Sequence, residues 1–137
     1  MRIFFDSSAF AKRYVDESGT AEVLAWCDRA SELALSVIAL PELISAFNRM
    51  LCEGRLTKAQ YRQMKADLMA DIADALICDT TPQVVQKAIA LIEAQPLRGM
   101  DAIHLGAALA CNATVFISAD ARQCAAARHF ELQVVEI

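Results

Sequence analysis

The chain has 137 residues, 56% of them hydrophobic, and a formal net charge of −4. That length suits one domain, residues 1–137, with a core of its own. The acidic balance excludes a basic module that coats nucleic acid by charge alone, but not an enzyme that spends acids on a cation.

Five cysteines, Cys27, Cys52, Cys78, Cys111 and Cys124, are scattered with no CxxC spacing. This excludes a disulfide framework or a zinc cage and reads as buried free thiols in a reducing cytoplasm.

RIFF at 2–5 is a short apolar run that reads as a central strand. Asp6 cuts it too early for a signal peptide. SAFAKRYV at 8–15 reads as a short helix, and a second starts at Gly19 and Thr20 and runs to about Arg29. ELALSV at 32–37 is the second strand. The next helix begins near Pro41, whose missing N–H costs nothing in a first turn, and stops at Gly54. Thr57 opens a helix through Ala75, with Tyr61, Met64, Leu68, Met69 and Ile72 at helical spacing.

LICD at 76–79 is the third strand, and Thr81 with Pro82 starts a helix ending near Ala94. MDAIHLGAALA at 100–110 is helical, TVFIS at 114–118 is a strand, 120–128 is helical, and LQVVEI at 132–137 is the last strand. Residues 102–119 contain no Asp, Glu, Lys or Arg, close to membrane-spanning length. His104, Asn112, Thr114 and Ser118 interrupt the run, which switches from Ala-rich to β-branched, so it reads as a buried helix followed by a buried strand. No membrane segment is expected.

Strands alternate with helices, and the strands are continuously apolar. The pattern predicts an α/β three-layer sandwich, a central parallel sheet of about five strands with helices on both faces.

Asp6 directly follows the first strand and Asp120 the fourth. Glu42 lies in the first turn of the helix after the second strand, and Asp101 stands where a loop turns into a helix. Ligands of open α/β sheets bind outside the carboxyl ends of the strands. Carboxylates from distant parts of the chain are therefore expected at one rim. So much negative charge is unfavourable without a cation, and hard oxygen donors select Mg²⁺ or Mn²⁺. A site of that kind activates water for phosphodiester cleavage. A plainer reading also holds: Asp and Ser cap helices, and acids favour first turns. Spacing alone leaves both open.

His104 follows Asp101 by three positions and shares its helical face, where a structural role is expected. Lys12, Arg13, Arg49, Arg98 and Arg122 lie nearest the acids in sequence; each singly reads as solvated surface charge, and together they are candidates to meet a substrate phosphate. Phe47, Met50 and Leu51, with Tyr61, Met64 and Leu68 on the next helix, read as core or as a two-helix clamp whose groove takes a partner's amphipathic helix or a second subunit.

FFDSSAF, SVIALPELISAFNR, LRGMDAIHLGAALA and VFISADAR together resemble the PIN-domain ribonuclease family, in particular its VapC-like toxins. They stand in the family's order and span nearly the whole chain, and DAIHLGAA is the most specific of them. The resemblance implies a five-stranded PIN-like fold and a metal-dependent endoribonuclease. Asp6, Glu42, Asp101 and Asp120 would be the catalytic residues and the ligands of Mg²⁺ or Mn²⁺. Ser8 and Ser118 would position metal, water or scissile phosphate. It implies an RNA substrate, a homodimer, a separately encoded antitoxin and a cytoplasmic setting. The family often has a glycine before its final strand, which ARHFELQVVEI lacks, and nothing between Gly54 and Gly99 is diagnostic.

Other readings fit less well. A haloacid-type phosphatase needs a second aspartate where this chain has Ser8, and a receiver domain needs a lysine where it has Glu136 and Ile137. A catalytically silent, partner-binding PIN-like domain remains as the alternative, and the presence of all four acids speaks against it.

Overall fold

Strand β1 (Arg2–Phe5) is buried on both sides, with Ile3 and Phe5 facing one layer of helices and Phe4 the other. The computed structural model describes residues Met1–Ile137. After β1 come α1 (Ser7–Phe10), a 3-10 turn (Ala11–Arg13) and α2 (Thr20–Arg29). Then follow β2 (Glu32–Ser36), α3 (Ala39–Cys52), α4 (Lys58–Asp74) and β3 (Leu76–Cys78). The second half holds α5 (Pro82–Ala94), α6 (Gly99–Ala110), β4 (Val115–Ser118), α7 (Ala121–Ala127) and β5 (Gln133–Glu136).

All five strands pair in parallel, in the order β3-β2-β1-β4-β5. The chain moves outward from β1 to β3, then crosses back to lay β4 on the other side of β1. The order therefore reverses between β1 and β4, the switch point where such sheets open a crevice. Register fixes what stands there: Phe5 pairs with Ile117, so Asp6 and Ser118 leave the sheet side by side.

Each sheet face carries its own core. Ile3, Phe5, Leu35, Val115 and Ile117 pack against α1 to α4. Phe4, Ala34 and Phe116 pack against α5, α6 and α7, with the Phe4 and Phe116 rings stacked at 5.9 Å. Gly106 lets α5 approach α6, since a Cβ there would stand 3.1 Å from the Val84 carbonyl oxygen.

Local signals set most boundaries. A capping box between Thr57 and Gln60 starts α4, and Thr81 caps α5 with Pro82 in its first turn. Gly54, at φ 73°, follows the end of α3. The helix expected over 8–15 is shorter. Thr20 Oγ1 reaches the carbonyls of Lys12 and Val15 at 2.8 and 3.1 Å, drawing them out of helical bonding.

Of the α3 and α4 stripe, Phe47 and Leu68 are fully buried and Tyr61 and Met64 pack partly buried onto the same core, while Met50 and Leu51 stay half-buried. Exposed apolar side chains stand on α4, at Met69, and on α5 and the start of α6, at Val85, Ile89, Ile92 and Met100. The thiols differ from expectation as well. All five are free, but only Cys124 is buried, and Cys52 is exposed. No helix is long and apolar enough to cross a membrane.

Candidate active site

All four acids stand at helix N-termini, so the capping reading and the site reading describe the same residues. Asp6 caps α1, accepting the Ala9 N–H at 2.9 Å. Asp120 caps α7, its Oδ1 accepting the N–H groups of Arg122 and Gln123 at 2.8 and 3.2 Å. Glu42 and Asp101 lie in the first turns of α3 and α6, where the helix dipole favours negative charge.

Asp6 is 1% exposed and fully engaged. Besides Ala9, the Ser8 hydroxyl donates to it at 2.8 Å, Ser118 at 2.6 Å and the Gln123 amide at 2.9 Å. Burial pushes its pKa up, and the bonds from Ser118, Ala9 and Ser8 offset this only in part. Both candidate serines thus reach the first aspartate. Ser8 also accepts the Ala119 N–H and Ser118 the Asp120 N–H, which ties α1 to the loop carrying Asp120.

Glu42 is oriented by two residues. Ser7 donates to its Oε1 at 2.8 Å, and His104 Nε2 meets the same oxygen at 2.5 Å. Burial raises the Glu42 pKa, but the bonds from His104 and Ser7 outweigh it and hold the carboxyl below its usual range. His104 is 2% exposed, and its Nδ1 has no partner. The structural role expected of His104 is therefore specific: it aims and ionises Glu42.

Asp101 accepts one hydrogen bond, from Gln123 at 3.2 Å. Its pKa is pushed up by burial first and by the charge of Asp120 next, with Glu42 adding to the rise; His104 and Arg98 oppose it. Asp101 thus senses the other acids of the rim.

Three contributors escape the sequence reading: Ser7, the Glu42-orienting role of His104, and Gln123. Gln123 touches three of the four acids, through its backbone N–H to Asp120 and its amide to Asp6 and Asp101. Its signal was the D-x-x-Q spacing from Asp120, which reads as a capping box. In such a box the glutamine reaches back to the cap's N–H. Here Ser118 takes that N–H, and the glutamine turns inward to the carboxylates.

The basic residues divide. Arg13 forms a two-pronged ion pair with Asp71 at 2.8 and 3.2 Å, and Lys12 meets Glu17 and the Ser18 carbonyl. Arg49, Arg98 and Arg122 form no ion pair. Arg98 shares a cavity of about 560 Å³ with Glu42, Asp101 and Met100, and Arg49 lines one of about 360 Å³ beside Glu42.

The donor set fits a hard divalent cation: carboxylate oxygens, an Asp101 pKa pushed up by burial and by its acidic neighbours, and no lysine or arginine ion-paired to any of the four acids. The side chains do not converge as they stand, and no three acidic, histidine or cysteine groups cage one point. Asp6 is held by its donors, Glu42 faces His104, and Asp120 caps α7.

Comparison with known proteins identifies the family. The PIN domain family model matches residues 3–129, which include all four acids. Ribonuclease VapC45 of Mycobacterium tuberculosis (strain CDC 1551 / Oshkosh) is 32% identical over 108 residues, 79% of this chain and 75% of the relative. Ribonuclease VapC49 of M. tuberculosis (strain ATCC 25618 / H37Rv) matches to the same extent, 32% over 108 residues. Solved structures agree in fold. A toxin–antitoxin complex from Klebsiella pneumoniae superposes with a TM-score of 0.72 at 17% identity, over 98% of this chain and 99% of that one. VapBC2 from Rickettsia felis, bound to a promoter DNA fragment, gives 0.71 at 15%, over 100% and 99%. M. tuberculosis VapC20, a sarcin–ricin loop-cleaving toxin, gives 0.70 at 15%, over 96% and 98%. By the family model across nearly its whole length and by relatives at 32% identity, the chain belongs to the PIN-domain family, in its VapC-like ribonuclease branch.

Proposed function

We propose that the protein is a Mg²⁺- or Mn²⁺-dependent endoribonuclease, the toxin of a toxin–antitoxin pair. The observation that carries the reading is four acids at one switch-point rim with no lysine or arginine paired to any of them. Asp6, Glu42, Asp101 and Asp120 would hold the cation, and its chemistry would be to make water nucleophilic and to neutralise charge at the scissile phosphate.

The chain's own residues prepare the site. Ser8 and Ser118 fix Asp6 at the exit of β1, while His104 and Ser7 keep Glu42 ionised and aimed. Arg49 and Arg98 flank Glu42 and Asp101, and Arg122 follows Asp120 by two, so these three offer charge to RNA phosphates. Lys12 and Arg13 are engaged elsewhere. A separately encoded antitoxin is the expected partner, in keeping with the complexes that share the fold. A homodimer working in the cytoplasm completes the reading.

The test titrates Mn²⁺ and Mg²⁺ calorimetrically into wild type and Asp101→Asn, beside an RNA-cleavage assay. Metal binding and metal-dependent cleavage by wild type, both lost in the variant, support the reading. If wild type binds no metal, the four carboxylates serve only as helix caps.

A further inference from the structure

The Gln123 amide has two hydrogens and places both on carboxylates, one on Asp6 Oδ2 at 2.9 Å and one on Asp101 Oδ1 at 3.2 Å. No other side chain donates to both. We infer that Gln123 is a positioning residue that sets how tightly the site takes a divalent cation, because its amide and the cation compete for the same carboxylate oxygens. The inference deepens the metal-dependent reading above and rests on it.

Saturation comes first. A carboxylate offers about four lone-pair positions, and Asp6 receives donors from Ser8, Ala9, Ser118 and Gln123. Asp6 can take a cation only by releasing one of them.

The four differ in how firmly they are held. Ala9 donates from the backbone of α1. The hydroxyls of Ser8 and Ser118 also accept the N–H groups of Ala119 and Asp120, which pin them in place. The Gln123 amide makes no hydrogen bond besides those to the two carboxylates, since its Oε1 is buried without a partner. It is the donor free to yield.

Its orientation is set by the acids alone. Turning the amide over would give Oε1 a new neighbourhood but would set oxygen against oxygen at Asp6 and Asp101. The buried, unsatisfied Oε1 is what this arrangement costs. Capping does not call for the side chain either, because Ser118 already takes the Asp120 N–H. Yielding to a cation frees the amide from an arrangement that satisfies only half of it.

Gln123→Met keeps the length of the side chain and suits a position 3% exposed. Mn²⁺ titrated calorimetrically into wild type and Gln123→Met should bind the variant about tenfold more tightly, the scale of one released hydrogen bond to a charged group. Without Mn²⁺ the variant should melt below wild type, and its Mn²⁺-induced rise in Tm should be the larger. Equal or weaker Mn²⁺ affinity in Gln123→Met overturns the inference. Should that variant fail to fold, Gln123→Asn, too short to reach both carboxylates, must show the same tightening or the inference falls. Wild type that binds no Mn²⁺ removes the metal-dependent reading and this one with it, whereas wild-type binding with an unchanged Gln123→Met removes this one alone.

Discussion

His104 Nε2 lies 2.5 Å from Glu42 Oε1, and this contact joins α6 to α3 across the rim of the sheet. Burial raises the Glu42 pKa, and the bonds from His104 and Ser7 reverse that, leaving it net lowered. A carboxyl lowered in the folded state adds stability above its unfolded value, and that stability is lost as pH falls through the folded one. The acid limb of wild-type unfolding should therefore include Glu42 below about pH 4.5, the unfolded value. In His104→Leu burial remains and its main counterweight is gone. Melts between pH 3 and 6 should show the Glu42 contribution removed, and Mn²⁺ affinity should fall. A variant with an unchanged acid limb would contradict the orienting role.

The two aspartates at the centre should behave differently when neutralised. Asp6→Asn removes a candidate ligand but also disturbs the fold, because Asp6 accepts from four donors and is buried. An amide has one accepting oxygen and points its own N–H groups at two of those donors. The cost should be about 2 kcal/mol, or roughly 8 °C in Tm. Asp101 accepts a single bond and is pushed up by burial and Asp120. Asp101→Asn should raise the metal-free Tm by about 2 °C, a small gain because a half-exposed charge is screened. Both should abolish cleavage. Calorimetric melts of the two variants distinguish them, and Asp101→Asn is the cleaner probe.

Order of elements, parallel sheet and rim were legible because each rests on a strong local signal. RIFF, VFIS and LALS are apolar without alternation, which only a strand covered on both faces tolerates. The four acids stood out because each ends a strand or opens a helix. What stayed hidden depended on partners far along the chain. The D-x-x-Q of Asp120 and Gln123 is a local motif whose bond is diverted by Ser118, itself held to Asp6 across 112 residues. The α3 and α4 stripe has the same periodicity whether it forms core or groove, and only the packing of Phe47 against Tyr14 and its neighbours decides.

Arg13 shows the same limit and gives a direct test. Its guanidinium and the Tyr14 hydroxyl converge on Asp71, Tyr14 at 2.5 Å from Oδ2, which binds the 3-10 turn to α4. Asp71→Ala strands both groups and should cost about 2 kcal/mol, or roughly 8 °C in Tm. Cleavage below the melting range should persist. Arg13→Ala should leave the salt dependence of RNA binding unchanged, while Arg98→Ala, beside Asp101, should weaken binding and flatten that dependence by about one charge. Filter binding across a salt series reads both.

The last expectation concerns chemistry away from the rim. Cys78 and Cys111 line one cavity of about 250 Å³ between β3 and the end of α6. The neighbouring Cys78 thiol draws the Cys111 thiol down to about 7, against burial and with help from the Arg2 guanidinium, while Cys78 is pushed up. Thiolate is the reactive form, so Cys111 should alkylate with a midpoint near pH 7. Iodoacetamide labelling from pH 6 to 9, read by peptide mass spectrometry, measures it. Cys78→Ala removes that neighbour and should move the midpoint upward. An unmoved midpoint would mean that Arg2 alone sets the reactivity of Cys111, and the sulfur pairing would be dismissed.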